Sequence, residues 1–502
     1  MRLDVKLPKE PNVRTFFCTK ACTDANWCDV ARVSINILPD VALLEIFDFY
    51  IGGKDQYFDA EEQKIHTWLT LVHVCRKWRR IAFGSARRLG IRIWYKADLP
   101  LEEQLDIWPP LPIAIWADSG RSHYDDNNII AALEHNYRVS RIELWDISCL
   151  EMENVLAAMH RPFPALTYLR LALDVHEHFT VSPLPVIPDS FLGGSAPHLE
   201  SLNLRYIPFL GLPKLLLSAT RLVELFLPRI PHSAYFPPEV LVNCLSVLTR
   251  LEILDLGFDE YIPSRVDQNS RYPPSPIRID LPVFNELLFR GASKYLDDLV
   301  ACIDVPLLDT LKITFFHEPM IDTPQLTQFI IRTPRFTTPF AARVVFSGWE
   351  VSVSMPLPQT DYSIAPLKLG ISGKQTDLQL SSLARVCGSS FPQNFIPAVK
   401  YLDIIWREGS DTVENSQWQE LLRLFTAVKG LYISQEAVSR IAPALKVLGE
   451  RVTETLPALE TLTLYEPTSG PDQEGINQFV SARQLAGHPI SISYGSSHIG
   501  FY

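Results

Sequence analysis

The sequence predicts an α/β chain in two parts: an all-helical N-terminal module, then a long solenoid of parallel strands and outer helices. Three observations carry this. One short apolar pattern recurs along most of the chain from about residue 136. Helical apolar faces fill the intervals between its copies, and residues 37–95 show helical spacing instead. Composition agrees with a folded chain, since 47% of the 502 residues are apolar and supply ample core. A net charge of −11, from 46 Lys plus Arg against 57 Asp plus Glu, argues against nucleic acid, whose binders neutralise phosphates, and favours a protein partner. Thirty-nine Pro against 22 Gly suit many short elements joined by stiff turns.

In chain order, residues 1–33 carry no sustained periodicity and read as a flexible leader. Its Cys18, Cys22 and Cys28 lack zinc-knuckle spacing and a fourth ligand, and with five further scattered Cys they read as thiols of a reducing compartment, cytoplasmic or nuclear. No signal-peptide core or membrane-length apolar run is visible, so no membrane is expected.

Residues 34–95 read as a helical module. Leu38-Pro39-Asp40 starts a helix, Leu43, Leu44, Ile46, Phe47 and Tyr50 give it an apolar face, and Gly52-Gly53 ends it. After the polar insertion 52–63, Ile65, Trp68, Leu69, Leu71, Val72, Val74, Cys75, Trp78 and Ile81 make a second, broad stripe. That is more apolar surface than ~60 residues can bury alone, so the module needs a neighbour or a partner. Residues 96–135 read as a connector.

From 136 to 502 the unit apolar-x-x-apolar-x-apolar repeats, as in Val139/Ile142/Leu144, Leu166/Leu169/Leu171, Leu199/Leu202/Leu204, Leu222/Leu225/Leu227, Leu251/Leu254/Leu256, Phe284/Leu287/Phe289 and Leu308/Leu311/Ile313. It returns at Ile364, Val399, Val428 and Leu459, with a weak copy at Ala341/Val344/Phe346, and neighbouring copies lie 23 to 35 residues apart. The closing period-two pair needs a strand to put both side chains on one face. Helical patterns such as Val240, Leu241, Cys244, Leu245 and Trp418, Leu421, Leu422, Phe425 supply the crossovers. The result is an irregular leucine-rich-repeat solenoid, with strands on a concave face and helices outside; an ordinary doubly wound α/β domain is the alternative. Pro-rich stretches at 181–197 and 261–282 interrupt the repeats as surface loops.

Enzyme signatures fail in turn. Gly52-Gly53-Lys54 lacks a phosphate loop's spacing, Gly495 to Gly500 lacks a nucleophile elbow, and His176-Glu177-His178 lacks a third metal ligand. No catalytic residue, metal or cofactor is expected. The basic run Arg76, Lys77, Arg79, Arg80, Arg87, Arg88 and Arg92 reads as the solvated face of a packed helix.

Leu38-Pro39-Asp40 with Leu44-Glu45-Ile46-Phe47, followed by Val74-Cys75-Arg76-Lys77-Trp78-Arg79-Arg80-Ile81-Ala82, resembles the F-box of fungal F-box-like proteins over about an eighth of the chain. The repeats resemble those of F-box proteins with leucine-rich-repeat tails. The resemblance implies a non-catalytic substrate receptor of an SCF-type cullin–RING ubiquitin ligase. Leu38, Pro39, Leu43, Leu44, Ile46, Phe47, Leu71, Val74, Cys75 and Trp78 would then contact a Skp-type adaptor or form the module's core, and the repeats would hold a substrate protein. Substrate contacts are expected at outward strand positions: Tyr168, Arg170, Asn203, Arg205, Glu224, Phe226, Asp255, Glu286, Arg290, Lys312, Tyr401, Asp403, Tyr432 and Tyr465. A repeat scaffold detached from any ligase is the alternative.

Overall fold

A computed structural model of the chain describes residues 37–52, 68, 70–86, 88–89, 93–96, 110–118, 126–174, 184–259, 278–316, 318, 321–356, 365–373, 376–407, 413–448, 454–467 and 470–495. The chain divides into two compact units between Ile91 and Arg92.

In the first unit, α1 (Asp40–Gly52) and α2 (Arg76–Gly84) pack together, with helical residues 70–74 before α2. Leu43 and Phe47 lie one turn apart on α1 and are fully buried, as are Val72 and Ala82. The Phe47 and Trp78 rings meet at 4.8 Å, tilted by 57°. Cys75 is the N-cap of α2, its Sγ accepting from the Trp78 amide at 3.5 Å.

The second unit is built on a 16-stranded sheet. It begins with β1 (Ile93–Lys96) and β2 (Ile113–Asp118), where helix α3 (Asp126–Glu134) follows. Of the stretch expected as a connector, residues 113–118 therefore already belong to the sheet and residues 126–134 to a helix of this unit. Ile113, Ile115 and Ala117 enter the same core as Ile142 and Leu144, but the small Ala117 in place of leucine and Pro112 in place of the leading residue hide the pattern.

Next come β3 (Val139–Ile147), α4 (Cys149–Ala158), β4 (Tyr168–Leu173), β5 (Ser201–Arg205), α5 (Leu212–Ser218), β6 (Glu224–Ile230), α6 (Pro238–Leu245) and β7 (Ile253–Phe258). A short β8 (Ile279–Asp280) pairs with β10 (Ile303–Asp304) beside the main sheet, around β9 (Glu286–Gly291) and α7 (Ser293–Ala301). The chain continues through β11 (Thr310–Phe316), α8 (Pro324–Arg332), β12 (Ala341–Ser347), β13 (Glu350–Met355), β14 (Leu367–Ser372), α9 (Thr376–Ser390), β15 (Tyr401–Trp406), α10 (Asn415–Leu422), β16 (Gly430–Ile433), α11 (Gln435–Leu448), β17 (Thr461–Leu464), α12 (Pro471–Leu485) and β18 (Ser491–Tyr494).

Pairing is parallel between neighbours except around β13, and the spatial order runs β11-β14-β13-β12-β15. The weak copy at Ala341 is thus a strand, but the chain passes two strand positions to reach it and returns by a hairpin. The anticipated unit at Leu367/Leu369 fills the place beside β11.

Leu169, Leu202, Leu225, Leu254, Leu287 and Leu311 are paired in register and completely buried. The leading residue of each unit turns the chain into its strand. The amides of Leu166, Leu199, Leu222, Leu251, Phe284 and Leu308 each donate to the carbonyl three residues back, at 3.0 to 3.3 Å. Each helix from α5 to α11 packs on the next in the chain, so a unit contacts mainly its neighbours, as a solenoid requires. No helix among the described residues is long and apolar enough to cross a membrane.

Candidate binding surfaces

Because side chains alternate along a strand, every inward leucine has outward neighbours, and parallel pairing sets these in rows. One row runs Glu143, Arg170, Asn203, Phe226, Asp255, Leu288 and Lys312 across β3 to β11. Seven of the expected contact residues, Tyr168, Arg170, Asn203, Arg205, Glu224, Phe226 and Asp255, line a single groove of about 480 Å³ together with Pro228 and Arg229.

Pro228 follows the alternation from Glu224 and Phe226, but Arg229 escapes it because the register shifts after Leu227, so that Arg205 pairs with Arg229. A proline inside a strand is the signal that could have located this bulge. The same outward rule applied to β3 would have found Arg141, Glu143 and Trp145. The Arg141 guanidinium lies 3.7 Å from the Tyr168 ring centre and pairs with Glu143, and the Arg170 guanidinium lies 3.2 Å from that of Trp145.

The groove's charged side chains come from four neighbouring strands. Arg170, Arg205 and Arg229 stand on β4, β5 and β6, and none forms an ion pair with a carboxylate among the described residues. Burial is the main cause lowering the Arg170 pKa, and its Nε is buried with no hydrogen-bond partner among the described residues. Burial also raises the Tyr168 phenol, with Glu143 adding to the effect. Burial, then Glu286, pushes the Asp255 carboxyl on β7 up to about 6 against the opposing charge of Lys312. Lys312 itself pairs with Glu286 at 3.1 Å. Glu224 accepts from the Ser201 hydroxyl at 2.8 Å. Arg290 lies on β9 at the row beyond and does not line the groove.

The C-terminal candidates form a separate cluster. Asp403 is buried and accepts from Arg343 Nε at 2.8 Å and from the Tyr465 hydroxyl at 2.6 Å. Burial raises its pKa against the pull of those two donors. Asp403, buried and so engaged, is turned to the structure rather than to solvent, while Tyr465 is half-exposed; their polar groups tie β12, β15 and the end of β17 together. Tyr401 and Tyr432 remain half-exposed, their rings 6.4 Å apart.

In the helical unit, the expected adaptor residues fall into two groups. Leu43, Phe47 and Leu71 are interior, and Leu38, Leu44, Cys75 and Trp78 are half-buried; Pro39, Ile46 and Val74 face solvent. Sequence reasoning missed Ile37, Val41 and Phe49, which are also exposed, Phe49 by 82%. The basic run is not simply a solvated face. Lys77 and Arg80 approach Asp40 at 3.6 and 3.5 Å, Arg88 pairs with Glu45, and Arg79 Nε donates to the Val72 carbonyl at 2.9 Å.

Among the described residues no three His, Cys, Asp or Glu side chains gather as a metal cluster would. Cys18, Cys22, Cys28, His176, His178, Arg87, Arg92 and most of the insertion after Gly52 lie outside the described residues. No family model matches the sequence, and no curated protein matches it. Among solved structures it is similar to the leucine-rich-repeat-containing protein LegL7 from Legionella pneumophila, at 14% identity over 80% of this chain and 99% of that one. The TM-score is 0.27, so this likeness carries no weight for fold or function, and the solenoid rests on the strand pairing described above.

Proposed function

We propose that the protein is a non-catalytic receptor that joins two other proteins, the substrate-recognition subunit of an SCF-type cullin–RING ubiquitin ligase. Its helical unit docks on a Skp-type adaptor, and the outward face of its sheet holds the substrate. Neither task needs a cofactor or a bond-making residue.

The observation that supports this reading most directly is the apolar surface of α1 on both sides. One side is used inside the unit by Leu43 and Phe47, while Val41 and Phe49 stay in solvent. Large apolar side chains left on the outer side of a helix are normally covered by a partner, and aromatic and aliphatic anchors of this kind dominate protein interfaces.

The test is capture of a Skp-type adaptor by the full-length chain, compared with a Val41→Asp/Phe49→Asp variant. Capture by the unmodified chain and at least about tenfold weaker binding by the variant, roughly 1.4 kcal/mol, are expected. Absence of capture by the unmodified chain would leave a repeat scaffold attached to no ligase.

A further inference from the structure

We propose that the groove over β4 to β7 takes an extended segment of the partner protein running across the strands, with an acidic side chain at Arg170, Arg205 and Arg229 and a basic one at Asp255. The proposal deepens the receptor reading and rests on it.

The groove offers complementary charges that aromatic rings of its own chain support but no opposite charge pairs: Arg170 lies over Trp145, and Arg205 and Arg229 over Tyr206. Three guanidinium groups converge there, two of them brought side by side by the β6 bulge, without a carboxylate partner among the described residues. Across the groove no hydrogen bond reaches the Asp255 carboxylate among the described residues. Its charged form is disfavoured by burial and by Glu286, and an arriving cation would relieve both costs. Phe226 lies between the two ends in the same register row and offers an apolar surface to the intervening residues.

Spacing follows from the sheet. Arg170 and Asp255 are three strands apart, about 14 Å at ~4.8 Å per strand. An extended chain rises about 3.3 Å per residue, so the acidic and basic side chains of the segment stand roughly four residues apart when the acid meets Arg170 and about three apart when it meets Arg205, two strands from Asp255. A uniformly acidic or uniformly basic segment would meet repulsion at one end.

The full-length protein is offered a positional-scanning library of nine-residue peptides, with a separate phosphoserine arm, and the same preparation is tested for adaptor capture. About tenfold enrichment of Asp or Glu paired with Lys or Arg three to five positions away is expected. Asp255→Lys should invert the preference at the basic position alone, and Arg205→Glu should weaken the preference at the acidic position alone, since Arg170 and Arg229 remain. A misfolded variant binds nothing, whereas a specific effect preserves binding with selectivity changed at one position. If circular dichroism shows either variant unfolded, Asp255→Asn and Arg205→Gln replace it, and a weakened preference at one position is the expected result. No charge preference, a preference unchanged in the variants, or enrichment only of phosphoserine or of wholly apolar peptides overturns the proposal. Adaptor capture with an unselective groove refutes this proposal alone; selective peptide binding without adaptor capture refutes the ligase reading alone.

Discussion

Replacing Asp255 by asparagine should make the free protein more stable at neutral and alkaline pH while weakening its hold on a basic side chain. The carboxyl sits at about 6 instead of its ordinary 3.8, because burial, then Glu286, disfavours its charge more than Lys312 favours it. A raised carboxyl means that the folded state binds the proton more tightly than the unfolded state. Stability contributed at this position is therefore intact below pH 3.8 and declines as pH rises toward 6, and the full cost is present above that. At about 1.4 kcal/mol for each tenfold change in proton affinity, the cost has a ceiling near 3 kcal/mol. Water reaching an open groove screens it to about 1 kcal/mol. Denaturant unfolding of both proteins from pH 4 to 8 measures the difference. The Asp255→Asn variant should gain about 1 kcal/mol at pH 8 and nothing at pH 4. A variant no more stable than its parent at pH 8, or equally stabilised at pH 4, would refute the reasoning about this carboxyl.

Other perturbations test other parts of the molecule. Asp403→Ala removes a buried carboxylate that accepts from both Arg343 and Tyr465 and should cost about 1 to 3 kcal/mol, read as lost hydrogen-exchange protection in β15 and β16. Gly257→Ala would place a Cβ 2.3 Å from the Pro228 carbonyl oxygen, forcing β6 and β7 apart; a loss of about 1 to 3 kcal/mol together with weaker peptide binding is expected in denaturation and binding assays. Phe47→Ala removes a fully buried ring packed on Trp78 and should cost the helical unit about 3 to 5 kcal/mol, abolishing adaptor capture while peptide selection by the groove persists.

The repeat was legible because a leucine pair two residues apart has one structural use when it recurs, and the rule that found Leu202 and Leu204 also located Asn203 and Arg205 on the other face. It failed where geometry departs from alternation. Arg229 joins the groove only through a bulge, and β2 buries Ala117 where the pattern asks for leucine. Alternating Val351, Val353 and Met355 mark a strand, but nothing local tells that β13 runs against its neighbours. Asp403 shows the remaining limit. Its position on the outward row was readable, but its engagement by Arg343, 60 residues earlier, and by Tyr465, 62 residues later, depends on strand order.

The reversed strand β13 also bears on how this molecule assembles. A regular solenoid grows like a zipper, each new unit laid against the last. Here β12 has no place to settle beside β11, since that site is held for β14, which has yet to follow in the chain. The zipper must pause until the whole stretch from β11 to β14 has collapsed together, a step of longer loops and slower closure. Assembly from either end should therefore halt at this point, and a chain emerging during synthesis would hold its completed N-terminal half in wait for residues near 372.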